Sequence, residues 1–150
     1  MTKNPKIKIK SKNNDISIPS YETKSSAGLD LRAYLPEGNI KLNPKETKLI
    51  GTGLYFEIPE GFEVQIRPRS GLALKKGVSV LNSPGTIDAD YRGEIKILLI
   101  NHGSKPFIVE NEMRIAQMVV ARHERIEFEL VKSLSDSKRG SGGFGSTGTN

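Results

Sequence analysis

Residues 53–66 read GLYFEIPEGFEVQI. Two runs of alternating apolar character, 53–58 and 62–66, are split by Pro59 and Gly61. A period of two sends successive side chains to opposite faces of a strand, and proline with glycine is turn chemistry, so the stretch reads as two short strands. The same pattern recurs outward in both directions. IKIK (7–10), LDLRAY (29–34), EIKILLI (94–100), FIVE (107–110), RIAQMVV (114–120) and IEFELV (126–131) alternate likewise, and Pro19, Pro36, Pro44, Pro84 and Pro106 stand between them. Many short strands at this spacing predict an all-β fold, a jelly-roll-like barrel or sandwich. The single helix candidate is SGLALKKG (70–77), with Ser70 able to cap, Leu72 to Leu74 as helix formers and Gly77 as a left-handed stop.

At 150 residues the chain can bury one sizeable core, which predicts one β-domain over 1–132. From 133 to 150 the composition turns to glycine and hydroxyl residues, ending in KRGSGGFGSTGTN, too poor in apolar groups to offset its ordering entropy alone. The absence of cysteine excludes a disulfide framework, a thiolate nucleophile and a cysteine zinc site. With His102 and His123 the only histidines, the ligand set of a zinc deaminase is excluded too. A net charge of +6 points to anionic partners or substrates. The lysine-rich opening MTKNPKIKIK has no apolar core of the secretory kind, and no segment is apolar enough to span a bilayer, so a soluble, cytoplasmic protein without membrane partners is expected.

Five stretches carry candidate chemistry. In RPRSGLALKKG (67–77), the first amides of the helix and its dipole, with Arg69 beside them, form either an anion cradle or an ordinary capped helix with a solvated arginine. LNSPGTIDADYRGEIK (81–96) reads as a bend followed by a hairpin; its carboxylates, Asp88 and Asp90, either orient a water beside a ring-covering Tyr91 or serve as turn residues. AGLDLRA (27–33) places Asp30 and Arg32 on one strand face, there to support a metal, to pair with arginine or to be solvated at a sheet edge. Gln117 interrupts an apolar strand and must satisfy backbone groups or point at a ligand. The tail sets Arg139, Phe144, Ser146 and Thr147 among glycines once each, which suits a clamp on a single ligand better than a repetitive arm for single-stranded nucleic acid.

AGLDLRA (27–33), RPRSGLALK (67–75), GTIDADYRGEI (85–95), RIAQMVV (114–120) and RGSGGFGSTG (139–148) together resemble, in order, the five motifs of the homotrimeric dUTPase family. The resemblance covers nearly the whole chain after about residue 7, and five ordered motifs are far more specific than any one of them. It implies hydrolysis of dUTP to dUMP and pyrophosphate, which limits uracil in DNA and supplies dUMP for thymidylate synthesis. It implies that Asp88 is the general base for a water attacking the α-phosphorus, and that Tyr91 packs on the deoxyribose. By the same likeness Asn82, Gly85, Thr86, Ile87 and Lys96 read the uracil, and Arg69, Ser70, Gly71 and Gln117 contact phosphates. Asp30 meets Mg2+ through water, and Arg139, Phe144, Gly145, Ser146 and Thr147 belong to an arm closing over a neighbouring subunit's site. Leu29, where an aromatic is frequent, and NEMR (111–114), where Gly-Asp is usual, depart from the pattern at positions without an assigned role. The nearest rival, dCTP deaminase, shares the layout but uses a glutamate base and lacks the GFGSTG ending; a basic RNA-binding β-domain and a catalytically silent relative are the others.

Overall fold

A computed structural model of the chain describes residues 4–144. Ten strands and one helix follow in the order β1 (Lys8–Ser11), β2 (Gly28–Arg32), β3 (Ile40–Leu42), β4 (Thr47–Glu57), β5 (Phe62–Arg67), α1 (Ser70–Lys76), β6 (Val78–Val80), β7 (Gly85–Ile87), β8 (Glu94–Asn101), β9 (Phe107–Val109) and β10 (Arg114–Arg122). Two antiparallel four-stranded sheets, β1-β4-β8-β6 and β2-β10-β5-β7, are joined by the small β3-β9 ribbon. This is the expected jelly-roll type of all-β fold, with its one short helix. Alternation accounts for the core: Ile95, Ile97 and Leu99 of β8 and Val64 and Ile66 of β5 are buried, as are Leu31 and Ile115. Each such side chain contributes about 1.5–3 kcal/mol of burial. No helix among the described residues is long and apolar enough to cross a membrane.

Three local expectations change. Residues 81–96 are not a hairpin, because β7 pairs with β5 in one sheet while β8 pairs with β4 and β6 in the other. The turn after Ile87, closed by Tyr91 N–H donating to the Asp88 carbonyl at 3.2 Å, is therefore a corner between sheets. Ser70 is the first helical residue and not the cap; Arg69 takes the cap position, without a side-chain cap bond, while Gly77 ends the helix left-handed at φ 67° as read from the sequence. IEFELV (126–131) is not a strand. The last strand ends at Arg122, and a strand forms only where a neighbour completes its backbone ladder. Phe128 and Leu130 of that segment are 93% and 99% exposed.

Candidate active site

The strands deliver the candidate residues to two places. Asp30 on β2 lies opposite Gln117 on β10, and Gln117 lies opposite Arg67 at the end of β5, from which Pro68 and Arg69 lead into α1. Arg69 grips Asp30 side-on: Nε donates to Oδ1 at 2.8 Å and Nη2 to Oδ2 at 3.4 Å. Its Nη1 donates to the Arg114 carbonyl at 3.3 Å. The remaining N–H groups of the guanidinium are free to meet an anion, next to the unpaired first amides of α1 at Ser70 and Gly71. Gln117 Nε2 donates to the Pro68 carbonyl at 2.9 Å and so secures the loop that carries Arg69. The amide thus satisfies a backbone group, one of the two uses its sequence position left open.

Gly28 lets this arrangement close. A methyl there would lie 2.3 Å from Gln117 Oε1, so the amide has to swing away from Pro68. Gly28→Ala is expected to lose that hydrogen bond, worth about 1 kcal/mol, and to lower the melting temperature by a few degrees in calorimetry. An unchanged transition would mean that Gln117 does not hold the loop.

The second place lies at the other end of β5. Thr86 and Ile87 on β7, the corner residues Asp88 and Tyr91, and Glu94 and Lys96 on β8 wall a cavity of about 280 Å³. The Tyr91 hydroxyl donates to the Glu94 carbonyl at 3.0 Å, holding the side chain across Gly93, where any β-carbon would lie 2.3 Å from the hydroxyl oxygen and 2.5 Å from ring carbon Cζ. Asn82 sits beside Gly85, with Nδ2 3.2 Å from where a β-carbon on that glycine would be. Asp88 also edges a second cavity of about 520 Å³ with Glu60, Asp90, His123 and Arg125. Glu94, His123 and Arg125 were not singled out from the sequence. Glu94 lies within the glycine-marked stretch 85–95 but carries no chemical signal of its own there, while His123 and Arg125 follow the last strand, far in sequence from Asp88, and only the fold brings them near it.

The two clusters do not meet within one chain. Ile87 pairs with Val64, which sets Asp88 level with Glu63, four residues and so about 13 Å along β5 from Arg67. None of Asp30, Arg69, Ser70, Gly71 and Gln117 lines either cavity at Asp88. Arg139 donates from Nε to the Gly142 carbonyl at 2.8 Å, and Phe144 is exposed. Gly145, Ser146 and Thr147 lie outside the described residues.

Among the described residues there is no group of three His, Asp or Glu side chains able to hold a metal ion. At Asp30, Oδ2 accepts from both Arg69 and Arg114, whereas Oδ1 accepts only from Arg69 Nε and keeps a lone pair. A magnesium ion carried mainly by phosphate oxygens would fit this donor set, with Asp30 in a supporting role; a protein-built cage would not.

A family model described as dUTPase matches residues 14–148. A deoxyuridine 5'-triphosphate nucleotidohydrolase of Nautilia profundicola is 57% identical over 143 residues, covering 95% of this chain and 99% of that protein. The enzyme of the same name from Rickettsia felis is 58% identical over 132 residues, 88% of each chain. Among solved structures, the dUTPase of Staphylococcus bacteriophage 80alpha with dUPNHPP matches with a TM-score of 0.85 at 26% identity, covering 96% of this chain and 99% of that one.

Proposed function

Because the chain belongs to the dUTPase family, we propose that it hydrolyses dUTP to dUMP and pyrophosphate, with Asp88 as general base. The observation that carries this reading is the placement of Asp88 and Tyr91 on the wall of one cavity. The cavity, about 280 Å³, opens to solvent, so a ligand seated against Asp88 and Tyr91 can extend beyond it. Asp88 accepts a proton from a water as its oxygen bonds to the α-phosphorus, the bridge to the β-phosphate breaks, and pyrophosphate leaves. Tyr91, held by its bond to the Glu94 carbonyl, packs on the sugar. Thr86, Ile87 and Lys96 line the same cavity and, with Asn82 and Gly85 at the adjoining bend, read the base. Arg69, Ser70 and Gly71 receive the phosphates, whose negative charge a preorganised cation and helix amides stabilise without rearranging. When bound, Mg2+ neutralises phosphate charge; the chain's own part is the Asp30 oxygen that accepts from a metal-bound water.

The same geometry supports sites shared between subunits, and family membership supports three of them. With the base and the phosphate cluster at opposite ends of β5, a complete site draws Asp88 from one subunit and Arg69 from the next, in a homotrimer. The bare apolar row of Ile126, Phe128 and Leu130 supports such an assembly, since water-exposed side chains of this size and spacing mark an interface. Arg139, Phe144, Gly145, Ser146 and Thr147 close the loaded site as an arm over residues 133–150. Glycine supplies the looseness that admits substrate, and one cation, one ring and two hydroxyls supply the closing contacts. Deleting residues 137–150 is expected to leave a folded assembly and to lower kcat/KM by about 100-fold, through loss of charge-assisted and stacking contacts. Full activity in the truncated protein would remove the arm from the mechanism. The test of the whole reading is pyrophosphate released from each common deoxynucleoside triphosphate, with magnesium and then with chelator; release from dUTP alone is expected.

A further inference from the structure

Arg114 has no part in the chemistry described so far, yet the fold departs from regularity to place it. Gln117 faces Asp30 across the β10-β2 ladder, and Arg114 is three residues away, an odd offset that in a regular strand would put it on the opposite face. A register shift between Arg114 and Ala116 inserts one extra residue, Ile115, and brings Arg114 opposite Arg32, on the face of Asp30. Ile115 and Ala116 are consecutive and both fully buried, the mark that alternation breaks at this point. The guanidinium so delivered donates from Nη1 to Asp30 Oδ2 at 3.2 Å, and its Nη2 lies 3.4 Å from Glu22 Oε1.

We propose that Arg114, brought round by the bulge at Ile115, is a positioning residue for Arg69: by sharing Asp30 it fixes the direction of the Arg69 guanidinium and keeps its charge available to phosphate. A lone Asp30–Arg69 pair is a closed, neutral unit whose carboxylate repels an anion. With Arg114 on the same carboxylate, Asp30 divides its charge between two guanidiniums and offsets Arg69 less, since Glu22, which balances Arg114, is more exposed and screened by water; Asp30 is also held from both sides with its chelating edge turned to Arg69. The Arg114 carbonyl adds a further restraint by accepting from Arg69 Nη1. Glu22, more exposed, steadies the outer end of Arg114. The inference rests on the reading of Arg69 as a phosphate ligand.

The test combines Arg114→Gln with Arg69→Gln, singly and together, in the full-length protein, following pyrophosphate release from dUTP and, by calorimetry, binding of inorganic pyrophosphate. Arg114→Gln is expected to raise the KM for dUTP and weaken pyrophosphate binding roughly 10- to 100-fold, the range for hydrogen bonds to charged groups. In the Arg69→Gln background the same change is expected to cost less than about twofold, since nothing remains to be positioned. An equal loss in both backgrounds, or a KM and pyrophosphate affinity unchanged in Arg114→Gln, overturns the proposal. Should Arg114→Gln not fold, Arg114→Lys serves: it keeps the charge but lacks the fork that reaches Asp30 and Glu22 together, and unaltered pyrophosphate binding in it overturns the proposal equally. A wild-type protein that binds pyrophosphate and loses it in Arg114→Gln, yet releases none from dUTP, upholds the positioning role and removes only the substrate assignment.

Discussion

Asp88→Asn is expected to lower dUTP turnover by about 10²- to 10⁴-fold, the usual contribution of a positioned general base, while leaving the dissociation constant for a nucleotide analogue nearly unchanged. The substitution keeps the shape of the side chain and removes its capacity to take a proton. The backbone around it should hold, because the corner is closed by the Asp88 carbonyl, which accepts from Tyr91 N–H, and not by the carboxylate. Steady-state release of pyrophosphate measures the first quantity and calorimetry with a non-hydrolysable analogue the second. A variant that turns over dUTP within tenfold of the wild type would dismiss Asp88 as the base. One that loses binding as well would make the residue part of the cavity wall and nothing more.

The second large effect is a gain of activity on mixing. Asp88→Asn and Arg69→Gln each remove one end of the site, so each pure protein is expected to be nearly inactive. If a site takes Arg69 from one subunit and Asp88 from its neighbour, a mixture unfolded and refolded together holds some sites in which both residues are intact. For equal amounts and random assembly into a closed ring, roughly a quarter of the sites qualify, and the mixture should recover about that fraction of wild-type activity. Subunits with self-contained sites would show no recovery at all. The expectation comes from the course of β5, whose length of about 13 Å between the levels of Glu63 and Arg67 keeps the two clusters apart within a chain.

Much of the fold was legible because its signals are local. Alternation marked β1, β2, β5, β8, β9 and β10, and the Leu and Gly residues of 70–77 marked α1 with its left-handed end at Gly77. Less was legible where a partner decides. β3 and β6 are three residues each, too short for periodicity to show. The expected run begins at Gly53 and misses the first half of β4, where TKLIGT (47–52) shows no clean alternation; Gly53 is left-handed at φ 67°, and the register to β8 shifts between Gly51 and Tyr55. IEFELV carries the same alternation as true strands, but no edge among the described residues receives it.

The candidate site divides in the same way. Its residue types and order stand in the sequence, since a carboxylate, a tyrosine, a cation and glycines at set spacings are properties of the chain read end to end. That Arg69 is held by Asp30 and Arg114, that Gln117 serves Pro68, and that Asp88 stands away from all of them was decided only by the sheets. Strand alternation is a rule of neighbours in sequence, whereas register, bulges and the crossing of a corner between sheets depend on backbone pairing between residues tens of positions apart. Local chemistry chose the groups, and long-range hydrogen bonding chose which of them can act together.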